Sequence, residues 1–412
     1  MLTVADSRRS PLDIRHSAFD TRQSMTILHL ISLRGMGGRA ATALRQARLL
    51  AARGHRVLVG CLPGTWAEQR ARELGLPVFN EFHFQRGFRP LRFWSDCRNL
   101  ARRCNQENVE IVHAHVSQES WVACLGARLA RRPPALVRSR GVVVPVRPHI
   151  FNRWLHNRWT SRVVTPSMVI HDRLCALPGF DRARVRCIPD GVDLERFSAS
   201  GGGGAAIRAE FGIPPDAPLV LMVARLEPVK GHDVFFAALA RLVAEKNLPG
   251  LRALCACDER TPGALNSVIS RAERLGSSWG PPWNDLGLRP PLLQFTGMRS
   301  DIEKFYAAAT VVALPSLGSE GSSRVALEAA AAGVPVVASA VGCLPETIED
   351  GVTGRLVPPG DPAALAAALL ELLRDPARCR EMGQAARKRA ETLYDERRMI
   401  EKLEALYQET LD

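Results

Sequence analysis

The sequence lacks several patterns that would assign it to common protein classes. None of its ten cysteines forms a C-x-x-C pair, and no lysine occurs among residues 1–200. No apolar run approaches the roughly 18 uncharged residues of a membrane-spanning helix. The missing cysteine pairs argue against a zinc module, and they predict reduced core thiols in a cytoplasmic protein.

The length and the N-terminal composition predict the domain organisation. A chain of 412 residues is too long for one hydrophobic core and long enough for two domains. Residues 1–24 contain four arginines but no apolar segment, which is not the composition of a secretory signal. We predict that residues 1–24 form a disordered leader and that the fold begins near Met25.

The two halves of the chain differ in charge. Residues 1–200 contain 32 arginines against 15 acidic residues, a net charge of +17, whereas the rest of the chain has a net charge of −4. A basic half can serve nucleic acid, an anionic membrane or an anionic substrate. Because the arginines are dispersed and no nucleic-acid-binding motif is present, we predict no nucleic-acid partner. A phosphorylated glycolipid or an anionic membrane surface fits this composition better.

The most informative stretch runs from Ser319 to Ser339 and reads SEGSSRVALEAAAAGVPVVAS. The preceding residues 311–314 are an apolar strand, and strong helix formers follow the polar loop. Gly333 and Pro335 then end the helix, and a second apolar strand begins. The pattern predicts strand, polar loop, helix, turn and strand.

The start of this helix is a predicted anion site, because its first backbone N–H groups have no partner within the helix. Gly321, Ser322 and Ser323 would allow a diphosphate to approach, and either serine could cap the helix. Glu320 and Glu328 lie eight positions apart, or about 12 Å along a helix. Taken alone, such a spacing is more often two solvated carboxylates than a site.

In this context the segment resembles the E-x(7)-E region of the retaining glycosyltransferases of family 4, which have the GT-B fold. The resemblance implies that Glu320 contacts hydroxyls of the donor sugar. It also implies that the amides of Gly321, Ser322 and Ser323 hold the diphosphate and that Glu328 binds the ribose.

A second match to the family follows the apolar strand at residues 218–224. Arg225 and Lys230 occupy the positions of the pair that, in the family, stabilises the leaving diphosphate. Two cations at the end of a parallel strand are costly unless an anion is held there. The resemblance further implies a base pocket bordered by Gly297. No D-x-D motif lies near these residues, so we predict a site without metal and a protein without a cofactor.

The first half begins with a strand, a glycine-rich turn, a helix and a strand, as in a doubly wound parallel sheet. The resemblance assigns Gly37 and Gly38 to the donor phosphates. His113 and His115 follow a buried strand and are acceptor-side candidates together with Arg140. They could also bind a metal, but the sequence supplies no third ligand. The family usually has a histidine where this chain has Gly141.

The predicted fold is α/β and of the GT-B type, with two Rossmann-like doubly wound parallel-sheet domains that face each other across a cleft. The first, acceptor-binding domain covers residues 25–199. A glycine-rich linker covers 200–210, the nucleotide-sugar-binding domain covers 211–394, and residues 395–412 form a helix that crosses back.

The predicted function is transfer of a hexose-type sugar, with retention, from a UDP-, GDP- or ADP-linked sugar to a cell-envelope glycolipid or polysaccharide of the lipopolysaccharide type. The expected location is the cytoplasm, with contact to the anionic inner membrane. Two alternatives remain open: a nucleotide-sugar epimerase of similar fold and a binding protein without turnover.

Overall fold

A computed structural model describes residues 24–412 apart from 36, 86, 88, 144–145, 147–148, 199–201, 245–247, 259–262, 276–291 and 319. The predicted leader therefore lies outside the described residues except for Ser24. Within the described ranges, no helix is both long enough and apolar enough to cross a membrane.

The first domain contains a seven-stranded parallel sheet with the order β3-β2-β1-β4-β5-β6-β7. Its strands are β1 (Thr26–Ile31), β2 (Arg56–Cys61), β3 (Val78–Phe79), β4 (Ile111–Ala114), β5 (Ala135–Ser139), β6 (Arg162–Thr165) and β7 (Val185–Cys187). Its helices are α1 (Gly38–Ala52), α2 (Trp66–Glu73), α3 (Pro90–Glu107), α4 (Ser117–Arg128), α5 (Ile150–Asn157) and α6 (Met168–Cys175).

Helices cover both faces of this sheet, which explains why its strands are apolar almost throughout. In β1, Ile27 and Ile31 point into a core formed with α1, whereas Leu28 and Leu30 point into a core formed with α3 and α4. His29 lies between Leu28 and Leu30 and is fully buried. The alternation along one strand therefore serves two separate cores.

The second domain contains a six-stranded parallel sheet with the order β10-β9-β8-β11-β12-β13. Its strands are β8 (Leu219–Arg225), β9 (Arg252–Asp258), β10 (Leu293–Phe295), β11 (Val311–Leu314), β12 (Val336–Ser339) and β13 (Gly354–Val357). The helices after the first domain are α7 (Gly204–Glu210), α8 (His232–Ala244), α9 (Ala264–Leu275), α10 (Ile302–Ala308), α11 (Arg324–Ala331), α12 (Leu344–Thr347), α13 (Pro362–Arg374), α14 (Pro376–Leu393) and α15 (Glu396–Leu411).

The last helix, α15, packs on the first domain. Met399, Leu403 and Tyr407 are buried in the core that β1 shares with α1. Just before α15, Asp395 forms an isolated parallel bridge with Val192, which lies in the segment that leaves the first domain. The chain therefore passes between the domains twice at one place.

The prediction of a linker over residues 200–210 is wrong for most of its length. Residues 204–210 form α7, which packs on α10 in the second domain. A Cβ at Gly204 would approach the carbonyl oxygen of Ala307 to 2.6 Å, so this glycine permits close helix packing. The glycine run was predicted to be flexible, but Gly204 serves the close packing of α7 on α10. Residues 200 and 201 lie outside the described residues.

Candidate functional site

The carboxylate of Glu320 lies at the centre of the candidate site. It accepts hydrogen bonds from Lys230 Nζ at 2.5 Å and from Ser316 Oγ at 2.6 Å, and Glu320 is buried. Lys230 ends a short 3₁₀ turn after β8, and Glu320 follows β11, the neighbouring strand. Because parallel strands end at the same edge of a sheet, the two predicted site residues meet as an ion pair.

Arg225 lies on the same edge, at the end of β8. Its guanidinium pairs with the Glu227 carboxylate, and both side chains remain about one third exposed, at 38% and 34%. Arg225 is therefore the more accessible of the two predicted diphosphate cations, since the Lys230 side chain is 16% exposed.

Two glycines fix the loop that carries Glu320. Gly231 has φ of 71° and Gly342 has φ of 57°, both in the left-handed region that favours glycine. A Cβ at Gly231 would overlap the carbonyl oxygen of Pro315, and one at Gly342 would overlap the carbonyl oxygen of Glu320. The loop after β11 therefore packs against glycine backbone on two sides, at positions where a side chain would not fit.

The first turn of α11 differs from the capping prediction. Ser323 is the N-cap residue, but its side chain makes no capping hydrogen bond, and its φ of 37° is left-handed. Its buried Oγ has no hydrogen-bond partner among the described residues. The Ser322 side chain is hydrogen-bonded to the Asp190 carboxyl group, whose pKa is raised by burial. A strained serine with an unused hydroxyl therefore stands at the helix start, where an anion was predicted.

Glu328 is buried on the second turn of α11. Its carboxylate accepts hydrogen bonds from Arg324 at 2.8 Å and from Tyr306 Oη at 3.0 Å. Burial, followed by the Glu328 charge, raises the pKa of Tyr306, so the phenol stays a donor at neutral pH. Glu328 is therefore held by two donors rather than solvated.

The glycine-rich turn of the first domain faces this helix. Gly37 is the N-cap residue of α1, and a Cβ at Gly38 would lie 3.4 Å from Cδ of Arg324. The structure therefore brings Gly38 and α11 together across the cleft. Gly297 is the second residue after β10, the edge strand of its sheet; it has φ of 67°, and a Cβ there would meet no atom within 4 Å.

The acceptor-side candidates lie deeper than predicted. His113 is fully buried, with its Nδ1 2.6 Å from Tyr407 Oη and its Nε2 2.8 Å from Ser139 Oγ. His115 is also buried, and its Nε2 lies 2.8 Å from Nδ1 of His29. The acceptor prediction does not fit His113, because α15 covers that face of the sheet.

Arg140 lies at the end of β5 and is partly buried. Burial lowers its pKa, and the positive charges of Arg138 and Arg39 lower it further. Three arginines therefore lie close together at this edge of the first domain, which makes it an electropositive place for an anionic group.

His29 is a third histidine that the sequence analysis missed. One nitrogen of each of His29, His113 and His115 lies within 4.8 Å of the others, a spacing that could hold a metal ion. Burial lowers the pKa of His29 to about 3, so the ring is neutral. Four of the six ring nitrogens already have a partner, and the buried Nε2 of His29 has none among the described residues. His29 and His113 are opposite each other in the β1–β4 pairing, which brings the histidines together. This pairing could be used as a signal only if the strand order were known.

Glu119, in the first turn of α4, is a further buried carboxyl group that could not be found from the sequence. It accepts hydrogen bonds from the backbone N–H groups of His115 and Val116 and from the Ser32 hydroxyl. Burial raises its pKa to about 7, despite these hydrogen bonds. A capping box has Ser or Thr three positions before the glutamate, whereas Val116 stands there in this chain, so the sequence does not mark Glu119 as a capping or a buried residue.

The two domains touch beside the Glu320 loop. The Gly141 carbonyl lies so close to Gly321 that a Cβ there would overlap it, and Ser167 Oγ donates to the Gly321 carbonyl at 3.0 Å. A Cβ at Gly141 itself would meet Arg39 and Pro166 at 3.7–4.0 Å, which is ordinary contact. The position therefore has room for a Cβ atom.

Comparisons with known proteins identify relatives of this chain. Residues 36–196 match the family described as Glycosyltransferase Family 4, and residues 217–375 match Glycosyl transferases group 1. The D-inositol 3-phosphate glycosyltransferase of Kineococcus radiotolerans is 33% identical over 311 residues, which are 69% of this chain and 68% of that protein. The enzyme of that name from Segniliparus rotundus is 35% identical over 232 residues, 55% of this chain. This chain spans 47% of the length of the Segniliparus protein.

Solved structures show the same fold at low sequence identity. A glycosyltransferase from Rickettsia africae has a TM-score of 0.84 at 20% identity, and the match covers 95% of this chain and 100% of that one. Anabaena HepE in complex with UDP and glucose has a TM-score of 0.78 at 22% identity, covering 93% and 99%. The two parallel-sheet domains, the family matches and the Kineococcus relative lead to one conclusion: the chain belongs to the group 1 glycosyltransferases of family 4 and has the GT-B fold.

Proposed function

We propose that the protein transfers a hexose-type sugar, with retention and without a metal or cofactor, from a nucleotide diphosphate sugar to an anionic envelope acceptor. The observation that carries this proposal is the Lys230–Glu320 pair beside the first turn of α11. It offers a cation for a leaving diphosphate and a carboxylate for sugar hydroxyls at one edge of one sheet.

In the proposed reaction, the bond between the sugar carbon and the diphosphate oxygen breaks, and the acceptor hydroxyl forms the new bond on the same face. Its proton passes to the leaving phosphate. Arg225, Lys230 and the N–H groups at the start of α11 stabilise the negative charge that develops on the diphosphate. Glu320 accepts hydrogen bonds from the sugar hydroxyls, and Glu328 accepts them from the ribose.

Two facts support a nucleotide-sugar donor. The solved complexes of Anabaena HepE contain UDP with glucose, or UDP-glucose, in a chain of the same fold. The buried Ser323 hydroxyl and the strained backbone at the start of α11 also suit a ligand that supplies the missing hydrogen bond.

For the acceptor we propose a phosphorylated glycolipid or polysaccharide at the cytoplasmic face of an anionic membrane. Ile150, Phe151 and Trp154 on α5 are 62%, 61% and 54% exposed. They lie at positions i, i+1 and i+4 and so share one side of the helix. Arg153 and Arg158 are exposed beside them. Exposed aromatic residues next to arginines are typical of a surface that binds an anionic bilayer.

A second candidate acceptor is a soluble inositol phosphate. It is favoured by the relatives, which are named D-inositol 3-phosphate glycosyltransferases. The Arg39, Arg138 and Arg140 group would suit its phosphate equally well.

The proposal is tested by incubating the purified protein with UDP-, GDP- or ADP-sugars in the presence of EDTA. The acceptor is either D-inositol 3-phosphate or vesicles that contain phosphorylated glycolipid. Transfer to lipid in EDTA, with retained anomeric configuration, supports the proposal, whereas transfer to inositol phosphate supports the second candidate. Conversion of the donor without any acceptor would instead indicate an epimerase. Donor binding without turnover would indicate a binding protein.

Membrane contact has its own test. We expect the protein to sediment with vesicles that contain anionic lipid and to be released by salt, because both the charge and the exposed apolar residues contribute. An α5 variant with Phe151→Ser and Trp154→Ser should sediment less, while Leu393→Ser, an exposed apolar residue at the end of α14, is the matched control. Equal sedimentation of both variants and wild type would contradict the role of α5.

A further inference from the structure

Helix α6 of the first domain is capped by the second domain. Ser167 is its N-cap residue, but the serine makes no capping hydrogen bond of its own. The hydroxyl donates instead to the Gly321 carbonyl in the Glu320 loop. The backbone N–H groups of Met168 and Val169 donate to the two carboxylate oxygens of Glu346 at 2.7 and 2.6 Å. A negative charge at a helix N-terminus is the favoured arrangement, and here it comes from across the cleft.

The backbone of Glu346 is held firmly in its own domain. Its carbonyl oxygen accepts hydrogen bonds from Arg389 at 3.0 Å and from Tyr394 Oη at 3.2 Å. Because these bonds use the main chain, a change to the side chain leaves them intact. The carboxylate is therefore presented on a rigid support, and its bonds to α6 can be removed separately.

The short helix that carries Glu346 is also hydrogen-bonded to the Glu320 loop. The N–H of Cys343, three residues before Glu346, donates to the Glu320 carbonyl at 2.9 Å, and the Glu346 N–H donates to the Cys343 carbonyl at 3.0 Å. The loop carrying Glu320 and the short helix carrying Glu346 thus form one connected unit. When α6 binds Glu346, it therefore lies at a fixed distance from the Glu320 loop.

The third contact between the domains lies in the same place. The Gly141 carbonyl packs on Gly321, at a distance that no side chain on residue 321 would allow. Gly141 follows β5 and Ser167 follows β6, which are adjacent strands of the first sheet. The ends of β5 and β6 in the first domain therefore contact the loop that carries Glu320. Glu346 is hydrogen-bonded to α6, the helix that follows β6.

We propose that Glu346 is a positioning residue for sugar transfer: by capping α6 across the cleft, it sets the closed distance between the acceptor domain and the Glu320 loop. This inference rests on the proposed function. It assigns Glu346 no contact with either substrate. Its loss should therefore slow the transfer step and leave donor binding to the second domain unchanged.

The test compares Glu346→Gln and Glu346→Ala with wild type, and Glu349→Gln is the matched control. Glu349 lies three residues further on and pairs with Arg389 at 3.4 Å on the exposed surface. Because hydrogen bonds to a charged group are among the stronger ones, kcat of Glu346→Ala should fall about 10- to 100-fold, and that of Glu346→Gln by less. The donor Kd, measured by calorimetry, should stay within about twofold for all variants.

Small-angle X-ray scattering supplies a readout that does not need activity. The radius of gyration of Glu346→Ala should exceed that of wild type, because the domains separate when the cap is lost, while Glu349→Gln should match wild type. Unchanged kcat and radius of gyration in Glu346→Ala would overturn the inference, as would loss of the folded circular dichroism spectrum in Glu346→Gln. If wild type transfers no sugar, the proposed function fails, and the scattering comparison still decides whether Glu346 holds the domains together.

Discussion

The two domains share one architecture but treat polar groups differently. At the site edge of the second domain, Lys230 and Glu320 form a buried ion pair, and Arg225 stays partly exposed beside them. In the first domain, His29 within β1, His113 within β4 and His115 just after β4 are buried as neutral rings. The second domain thus holds paired charges at its site edge, whereas the first domain packs neutral rings inside its sheet and has partly buried arginines, such as Arg140, at its edge.

The largest expected effect comes from removing the cation of the second domain. Lys230→Ala should lower kcat about 100- to 1000-fold, because a donor to the developing negative charge is lost. Turnover of the donor sugar is measured, with the circular dichroism spectrum as the check on folding. Lys304→Ala is the matched control, since Lys304 pairs with Asp301 on an exposed helix of the same domain. A Lys230→Ala enzyme that retains near wild-type turnover would contradict the role of Lys230.

The next prediction concerns the buried carboxyl group of the first domain. Burial raises the folded-state pKa of Glu119 to about 7, so folding binds a proton and stability is lost as pH rises through that value. Glu119→Gln resembles the protonated form. Its unfolding free energy should equal that of wild type near pH 4.5 and exceed it by about 3 kcal/mol above pH 7. Urea unfolding from pH 5 to 8 measures the difference, and a constant difference would be inconsistent with this account.

The histidine network should also be sensitive to its phenol partner. Tyr407→Phe removes the group that hydrogen-bonds Nδ1 of His113 and leaves a buried ring nitrogen without a partner. The unfolding free energy should fall by about 1–3 kcal/mol, while donor binding at the other domain is unaffected. Denaturant unfolding together with calorimetry separates the two. Weaker donor binding at unchanged stability would mean that α15 acts on the site instead.

Parts of this comparison could be predicted from the sequence. The apolar strand runs and the glycine and proline breaks around α11 predicted the order of strands and helices there, since buried strands need continuous apolar residues. The two-domain fold was predicted from the chain length and from the family resemblance. The contact between Lys230 and Glu320 could not be predicted, because it depends on β8 and β11 being neighbours. His29 was missed because a single histidine in an apolar strand carries no pattern.

Gly204, in the glycine run at residues 201–204, was wrongly predicted to lie in a linker for a related reason. Composition alone does not distinguish a glycine that gives flexibility from one that permits close packing, as Gly204 does against Ala307. Glu346 was not identified either, because its partners are backbone N–H groups of the other domain and leave no trace in the residue types.

The smallest expected effect concerns Gly141, where the family resemblance implies a histidine. A Cβ there meets its neighbours at ordinary contact distances, so Gly141→His should fold normally. One added hydrogen bond to the donor sugar would raise kcat/KM about two- to tenfold. Steady-state kinetics with the preferred donor measures it, with Gly141→Ala as the control for backbone effects. A loss of activity in the histidine variant alone would show that this site is built around glycine.

The central claim is that the second domain binds a nucleotide sugar through Glu320. Calorimetric titration of UDP-, GDP- and ADP-sugars, and of the matching nucleotide diphosphates, into wild type and Glu320→Gln tests it most directly. We predict that one nucleotide sugar binds and that Glu320→Gln weakens it about tenfold or more, because hydrogen bonds from sugar hydroxyls to a charged acceptor are lost. The nucleotide diphosphate without its sugar should bind the variant at least as well as wild type, since Lys230 is released from its partner. Equal weakening of both ligands, or no binding of any of them, would contradict the account.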